Sequence, residues 1–219
     1  MSLGWDARGL LPVVVQDRLT GEVRMVAYAN AEALRLTQET GLATFWSRSR
    51  SEIWVKGKTS GHEIRVSRVL VDCDADALVY EGEPVGPSCH TGAESCFFRE
   101  LDGDEPSAPS VAQTTLARLQ VVLDARKAAT AEKSYTKSLY DGGAAKIGDK
   151  LREEADELAA AVASESDERV VSEAADVLFH LMVALRSRGV SFRDVLALLE
   201  ARTGKSGHEE KAARMPALR

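Results

Sequence analysis

Two groups of side chains in this chain have the types and spacing of metal ligands. One runs Asp72-Cys73-Asp74-x-Asp76, then Cys89-His90-Thr91-Gly92 and Ser95-Cys96; the other is Glu153-Glu154-x-x-Glu157 followed by Glu173-x-x-Asp176. Thiolates suit a borderline ion such as zinc, and clustered carboxylates suit a hard ion such as magnesium, so the two groups point to two chemistries. Three cysteines rather than four leave a zinc position open for water, whose pKa falls to about 7 there, as attack on an electrophilic carbon requires. His62 and His90 are the histidines of this half and are suited to shuttling protons beside such a site. The competing reading of a single cysteine is a small buried apolar residue.

Alternation along a strand predicts Asp72, Asp74 and Asp76 on one face and Cys73 on the other. On helices, Glu153 and Glu157, Glu154 and Glu157, and Glu173 and Asp176 each fall one turn apart. Two antiparallel helices carrying them would form a box of oxygens in which Mg²⁺ could bridge a polyphosphate. The competing reading is a solvated acidic face, with Lys150 and Arg152 offsetting the repulsion. Lys133, Lys137, Lys146, Lys150 and Lys211 are candidate phosphate partners in this half, as are Arg48, Arg50 and Lys56 in the first.

The elements that must position these residues differ between the halves. Strand signals occupy 11–17, 23–28, 43–47, 52–56, 63–72 and 77–81, with a hairpin turn at Thr20-Gly21. A helix is expected over 31–40, capped by Asn30 and stopped by Gly41. From residue 112 the composition turns to Ala, Leu, Glu, Lys and Arg, and helices are expected near 114–129, 144–163, 167–188 and 191–202, the last opened by a Ser191/Asp194 capping box. Val170, Val171, Ala174, Val177, Leu178, Leu181 and Leu185 form the expected core stripe of the third helix. The fold class is therefore an α+β N-terminal domain, 1–101, followed by an all-α helical-bundle domain, 112–219, with the acidic, proline-containing stretch 102–111 as linker.

The 219 residues carry a formal charge of −6: 11 basic against 14 acidic residues before residue 102, three acidic residues in the linker, and 17 of each from residue 112 on. No half is basic enough for nucleic-acid binding. No apolar run approaches a membrane span or a signal core, and three cysteines inside a 24-residue window argue for reduced thiols in the cytoplasm.

Residues 11–98 resemble phosphoribosyl-AMP cyclohydrolase. The resemblance rests on Met25-Val26-Ala27-Tyr28-Ala29-Asn30, Phe45-Trp46-Ser47-Arg48-Ser49-Arg50, Trp54-x-Lys56-Gly57-x-Thr59-Ser60-Gly61-His62, the Asp72–Asp76 stretch and Gly86-Pro87-Ser88-Cys89-His90-Thr91-Gly92 with Ser95-Cys96-Phe97. Ala29 stands where that family usually has Met, and Phe45 where it often has Tyr. Residues 116–214 resemble phosphoribosyl-ATP pyrophosphohydrolase, through Ser134-Tyr135-Thr136, Lys150 with Glu153-Glu154, Glu157, Glu173-x-x-Asp176-x-x-x-His180-Leu181 and Glu209-Glu210-Lys211-Ala212.

The resemblance implies a bifunctional hydrolase of histidine biosynthesis. Its second domain would convert phosphoribosyl-ATP to phosphoribosyl-AMP and pyrophosphate, using Mg²⁺ on Glu153, Glu154, Glu157, Glu173 and Asp176. Its first would open the N1–C6 bond of the purine with zinc-bound hydroxide. By the same resemblance, Cys73, Cys89 and Cys96 bind Zn²⁺, with Cys73 supplied by the partner of a homodimer, and Asp72, Asp74 and Asp76 bind Mg²⁺. His62 and His90 are the candidate catalytic residues. Arg48, Arg50, Lys56, Lys133, Ser134, Tyr135, Thr136, Lys146, Lys150 and Lys211 are the candidate substrate contacts. The alternatives are a nucleotide-sanitising pyrophosphohydrolase and a zinc-stabilised binding scaffold without turnover.

Overall fold

The computed structural model describes residues 2–102, 104–109, 114–129 and 134–203. The chain divides into two compact units, Met1–Thr114 and Thr115–Arg219.

In the first unit, β1 (Leu11–Asp17) buries every second residue, as a Pro-Val-Val-Val strand with one face on a core should. It pairs antiparallel with β2 (Val23–Ala29) and parallel with β6 (Leu78–Pro84). With β3 (Thr44–Ser47), β4 (Glu52–Val55) and β5 (Ile64–Val71), these strands form a sheet of order β4-β3-β2-β1-β6-β5. The edge strand β5 also bonds the segment leading into β3, through Val66 N to Gly41 O and Ala43 N to Ile64 O, so the sheet curls on itself. Helix α1 (Ala31–Thr40) covers the buried face. Asn30 accepts from Ala33 N at its start, and Gly41 takes the left-handed conformation at its end, as expected. The core comprises Leu11, Val13, Val15, Met25, Leu34, Ile64 and Leu78 around Phe45 and Tyr80, whose rings stack 5.6 Å apart.

The stretch expected to be an unstructured linker carries strand structure instead. β7 (Arg99–Asp102) pairs with β8 (Glu105–Pro109), and the unit boundary falls at 114/115. Proline is tolerated in β8 because a two-stranded ribbon consists only of edges.

The second unit is helical: α2 (Thr115–Ala128), α3 (Tyr135–Asp141), α4 (Gly143–Ser164), α5 (Asp167–Ser187) and α6 (Phe192–Thr203). Ser166 caps α5 with Asp167 and Glu168 in its first turn, complementing the helix dipole. Asp194 accepts from Ser191 N in the expected capping box. The core is Leu123, Leu139, Ile147, Met182 and Val183. The expected apolar stripe of α5 is not its buried face: Glu173, His180, Met182 and Val183 are buried, while Val171 and Leu178 are 69% and 42% exposed. The helix is turned so that Glu173 and His180, rather than Val171 and Leu178, face the interior of the unit.

Candidate active sites

Glu154 and Glu157 lie one turn apart on α4, and Glu173 meets them from α5. Their carboxylate oxygens fall within 4.8 Å of one another, with Glu154 and Glu173 buried. Burial pushes the Glu173 carboxyl above the usual range; Arg169, 2.7 Å away, opposes this, and Glu157 and Asp176 add to it. Glu153 lies outside the trio and shares Lys150 with Glu154, at 2.9 and 3.1 Å. That pair raises the Lys150 ammonium pKa further above its ordinary value. Asp176 is exposed, and its backbone carbonyl accepts from His180 Nδ1 at 3.0 Å.

His180 is buried beneath the trio, and its Nε2 lies 2.9 Å from the hydroxyl of Tyr135 on α3. The sequence names His180 only as part of the Glu173-x-x-Asp176-x-x-x-His180 motif and gives it no role. The available signal was its spacing, seven residues from Glu173 and four from Asp176, which puts all three on one helical face. Ser134 caps α3 by accepting from Lys137 N, and the buried Thr136 hydroxyl accepts from Arg126 at 3.1 Å. Lys146 bonds the Ser138 carbonyl at 3.1 Å. Lys133 and Lys211 lie outside the described residues.

In the first unit, the loop 86–96 carries two thiols. The Thr91 hydroxyl donates to Cys89 Sγ at 3.1 Å, and His90 Nδ1 lies 3.9 Å from the same sulfur. Burial alone would raise the Cys89 thiol, but the hydroxyl and N–H of Thr91, the Cys96 thiol and the His90 N–H bring it below the ordinary value. Cys96 moves the other way, to about 11, through burial and the neighbouring Cys89 charge, against the cations Lys56 and Arg24. The pair therefore holds one proton more tightly than two separate thiols would. Lys56 Nζ donates to the His62 carbonyl at 3.2 Å, and burial lowers its pKa against the pull of both thiols.

Two glycines make this approach possible. Gly57 has a positive φ, and a Cβ there would lie 2.3 Å from the His62 backbone; at Gly86 a Cβ would lie 3.0 Å from the His62 ring. Arg24, which sequence reasoning passed over, is buried under the loop. Its guanidinium donates to Ser88 Oγ at 3.2 Å, to Gly86 O at 3.4 Å and to Glu94 at 2.7 Å, while its carbonyl accepts from Cys96 N at 2.8 Å. No local pattern marked it, because its partners lie more than 60 residues on.

Asp72, Asp74 and Asp76 also bring carboxylate oxygens within 4.8 Å, all exposed. They do so by a route other than the expected alternation. β5 ends at Val71, and the aspartates occupy a turn in which Asp72 accepts from Asp76 N and Ala77 N and Ala75 has a φ of 64°. Backbone N–H groups hold the Asp72 carboxyl below its ordinary value, while Asp72 and Asp74 push Asp76 above it. Cys73 is exposed in that turn, and among the described residues the three cysteines form no converging ligand group. Arg48 lies over the Tyr28 ring at 3.9 Å and Arg50 pairs with Glu52 at 3.0 Å.

The family described as phosphoribosyl-AMP cyclohydrolase matches residues 25–98, and that described as phosphoribosyl-ATP pyrophosphohydrolase matches residues 116–203. The histidine biosynthesis bifunctional protein HisIE of Deinococcus radiodurans is 46% identical over 206 residues, covering 94% of either chain. The chain belongs to this family of bifunctional histidine-biosynthesis proteins. The like-named protein of Wolinella succinogenes is 42% identical, over 97% of this chain and 96% of that one. The chloroplastic protein of Arabidopsis thaliana is 43% identical, over 96% and 78% respectively. The thiol-bearing unit is thus the phosphoribosyl-AMP cyclohydrolase and the helical unit the phosphoribosyl-ATP pyrophosphohydrolase. Among the described residues, no helix is long and apolar enough to cross a membrane.

Proposed function

We propose that the chain performs two consecutive hydrolyses in the cytoplasm, with magnesium held by the helical unit and zinc by the thiol unit. Two observations carry the reading: three carboxylates, two of them buried, converge between α4 and α5 in the helical unit, and the loop 86–96 of the other unit presents two thiols beside the cations Lys56 and Arg24. Glu154, Glu157 and Glu173 repel one another without a cation, and Glu153 and Asp176 flank them as further oxygens, so the donor set fits Mg²⁺. Two thiols offset by Lys56 and Arg24 fit a borderline cation that takes a further thiolate. Magnesium supplies charge neutralisation for the triphosphate, and zinc supplies Lewis acidity toward water.

In the helical unit, Lys150 and Lys146 would hold phosphate oxygens while water attacks between the α and β phosphates. Pyrophosphate leaves and phosphoribosyl-AMP remains. Ser134, Tyr135 and Thr136, with Lys133 and Lys211, complete the substrate contacts. Lys150 must then exchange a carboxylate partner for phosphate. In the thiol unit, the water oxygen adds to C6, the N1–C6 bond breaks, and N1 takes up a proton. His90, beside Cys89, and His62, against Gly86, are placed to accept and return those protons. Arg48, Arg50 and Lys56 would hold the substrate phosphates, and Asp72, Asp74 and Asp76 a second Mg²⁺.

The protein would act as a homodimer in which Cys73 of the partner subunit completes the zinc site. Two observations support this: Cys73 is exposed and outside any converging ligand group, and Val162, Val171 and Leu178 leave large apolar side chains exposed on α4 and α5. The test of the whole reading is one incubation of the purified protein with phosphoribosyl-ATP, Mg²⁺ and trace Zn²⁺. Pyrophosphate, phosphoribosyl-AMP and the ring-opened product should appear in that order. Accumulation of phosphoribosyl-AMP by zinc-loaded protein would refute the second step, and absence of pyrophosphate the first.

A further inference from the structure

Arg169 stands in the first turn of α5, where the Ser166 cap accepts from its backbone N–H. A cation in that turn opposes the helix dipole, so carboxylates rather than the helix hold it there. The guanidinium reaches two of them. Nε donates to Glu165 Oε2 at 3.0 Å, and Nη2 lies 2.7 Å from Glu173 Oε1, one turn further along the helix. The two partners are unlike, because Glu165 is exposed and Glu173 is buried. An exposed ion pair contributes little, whereas a buried carboxylate left without a cation is costly. Arg169 therefore matters more to Glu173 than to Glu165.

Glu173 is also the α5 member of the carboxylate trio. Each of the two buried members already has a cation of the chain beside it: Lys150 is 3.1 Å from Glu154, and Arg169 is 2.7 Å from Glu173. Magnesium bonds carboxylate oxygen directly, at about 2.1 Å, so ion and guanidinium cannot share Glu173 Oε1 without setting like charges side by side. We propose that Arg169 is a resident counter-ion that Mg²⁺ must displace from Glu173, and that it thereby sets the magnesium affinity of the site. Before an ion binds, it holds the Glu173 carboxylate in place. When the ion takes that carboxylate, the guanidinium keeps its bond to Glu165. The proposal rests on the magnesium reading of this unit and adds a residue that competes with the ion rather than binding it.

The test is calorimetric titration of the full chain with Mg²⁺ at pH 8, where protons compete least for the carboxylates. Glu173→Gln identifies the heat of this site against that of Asp72, Asp74 and Asp76. Arg169→Met keeps the aliphatic stem and removes the charge; it should tighten Mg²⁺ binding about three- to tenfold. Arg169→Lys, which keeps the charge, should stay near wild type. The gain in Arg169→Met should shrink in concentrated NaCl, because a half-exposed charge is screened. Glu165→Gln removes the partner to which the guanidinium falls back. It should weaken binding about twofold in the wild-type background and leave Arg169→Met unchanged. Unchanged binding in Arg169→Met would reduce the contact to an ordinary helix pair, and weaker binding would make Arg169 a residue that prearranges Glu173; either overturns the proposal.

Turnover separates this role from a substrate contact. The free Mg²⁺ concentration for half-maximal pyrophosphate release should fall in Arg169→Met, with KM for phosphoribosyl-ATP at saturating Mg²⁺ within about twofold of wild type. A raised KM at unaltered metal affinity would assign the guanidinium to a substrate phosphate and overturn the proposal. Mg²⁺ uptake that is the same in wild type and Glu173→Gln would count against the magnesium reading, and the proposal falls with it. Uptake lost in Glu173→Gln but unaltered in Arg169→Met would count against Arg169 alone. If Arg169→Met fails to fold, Glu165→Gln decides, because unchanged binding in that variant would overturn the exchange.

Discussion

Glu173 illustrates how a single side chain can be set against the fold and in favour of a ligand. It is buried at 3% exposure within 4.8 Å of two other carboxylates, and its pKa is raised through burial and, despite Arg169, through Glu157. A carboxylate whose folded pKa exceeds its ordinary value contributes stability below that ordinary value and loses the contribution as pH rises through the folded one. The metal-free protein should therefore gain stability from this group as pH falls from 7 toward 4.5. Magnesium binding has the opposite sign, because the cation displaces the proton: apparent affinity should fall about tenfold per pH unit below the Glu173 pKa. Glu173→Gln should remove the pH effect, leave the metal-free melting temperature equal or higher at pH 7, and weaken Mg²⁺ binding. Calorimetric titrations of both proteins at pH 5 and pH 7 check all three; a Gln variant that melts lower at pH 7 would contradict the account of strain.

The elements show which parts of the sites local pattern could predict. The caps of α1 and the start of α6 followed from Asn30, Gly41 and Ser191, because a cap is a local hydrogen-bond problem. Helix α3 was missed: seven residues are too few for a hydrophobic period to register. The three aspartates were legible as a group, yet the turn that gathers them depends on Ala75 at positive φ, which its residue type does not advertise. The α5 stripe was misassigned because buried ligands and an apolar row share one helix, and periodicity cannot say which face turns inward. If that exposed row is an interface between copies, Val171→Asp with Leu178→Asp should lower the sedimentation mass toward the monomer while helicity is retained. The thiol loop is held by the Arg24 side chain in addition to its own backbone bonds and that of Cys96 N to the Arg24 carbonyl. Arg24→Met keeps the buried stem and strands Ser88 Oγ and the Gly86 carbonyl without their donor, whereas the exposed Glu94 returns to water. Zinc loss to a chelator should accelerate about 10- to 100-fold, as for other residues that hold ligands in place. An unchanged rate would assign the loop's order to its own backbone bonds.

At the scale of the whole molecule, the two units place different demands on assembly. The carboxylate trio is complete within one chain, whereas the thiol pair lacks a third sulfur within reach. If Cys73 completes the site of the other subunit, dimerisation is required for ring opening, and the two activities must respond differently to the same cysteine substitutions. Cys73→Ala homodimers would have no third thiol, and Cys89→Ala homodimers no intact pair, so both should be inactive as cyclohydrolases. In a mixed dimer, the Cys73→Ala chain keeps Cys89 and Cys96 and receives Cys73 from its partner, which restores one of two sites; the other site lacks both. Random exchange makes half of the dimers mixed, so about a quarter of wild-type ring opening should return. Pyrophosphate release from the same samples should stay at the wild-type level throughout, which separates loss of a zinc ligand from general damage to the chain. Proven heterodimers without recovered ring opening would mean that each chain closes its own zinc site, and would require the Cys73 turn to move toward the 86–96 loop of the same subunit.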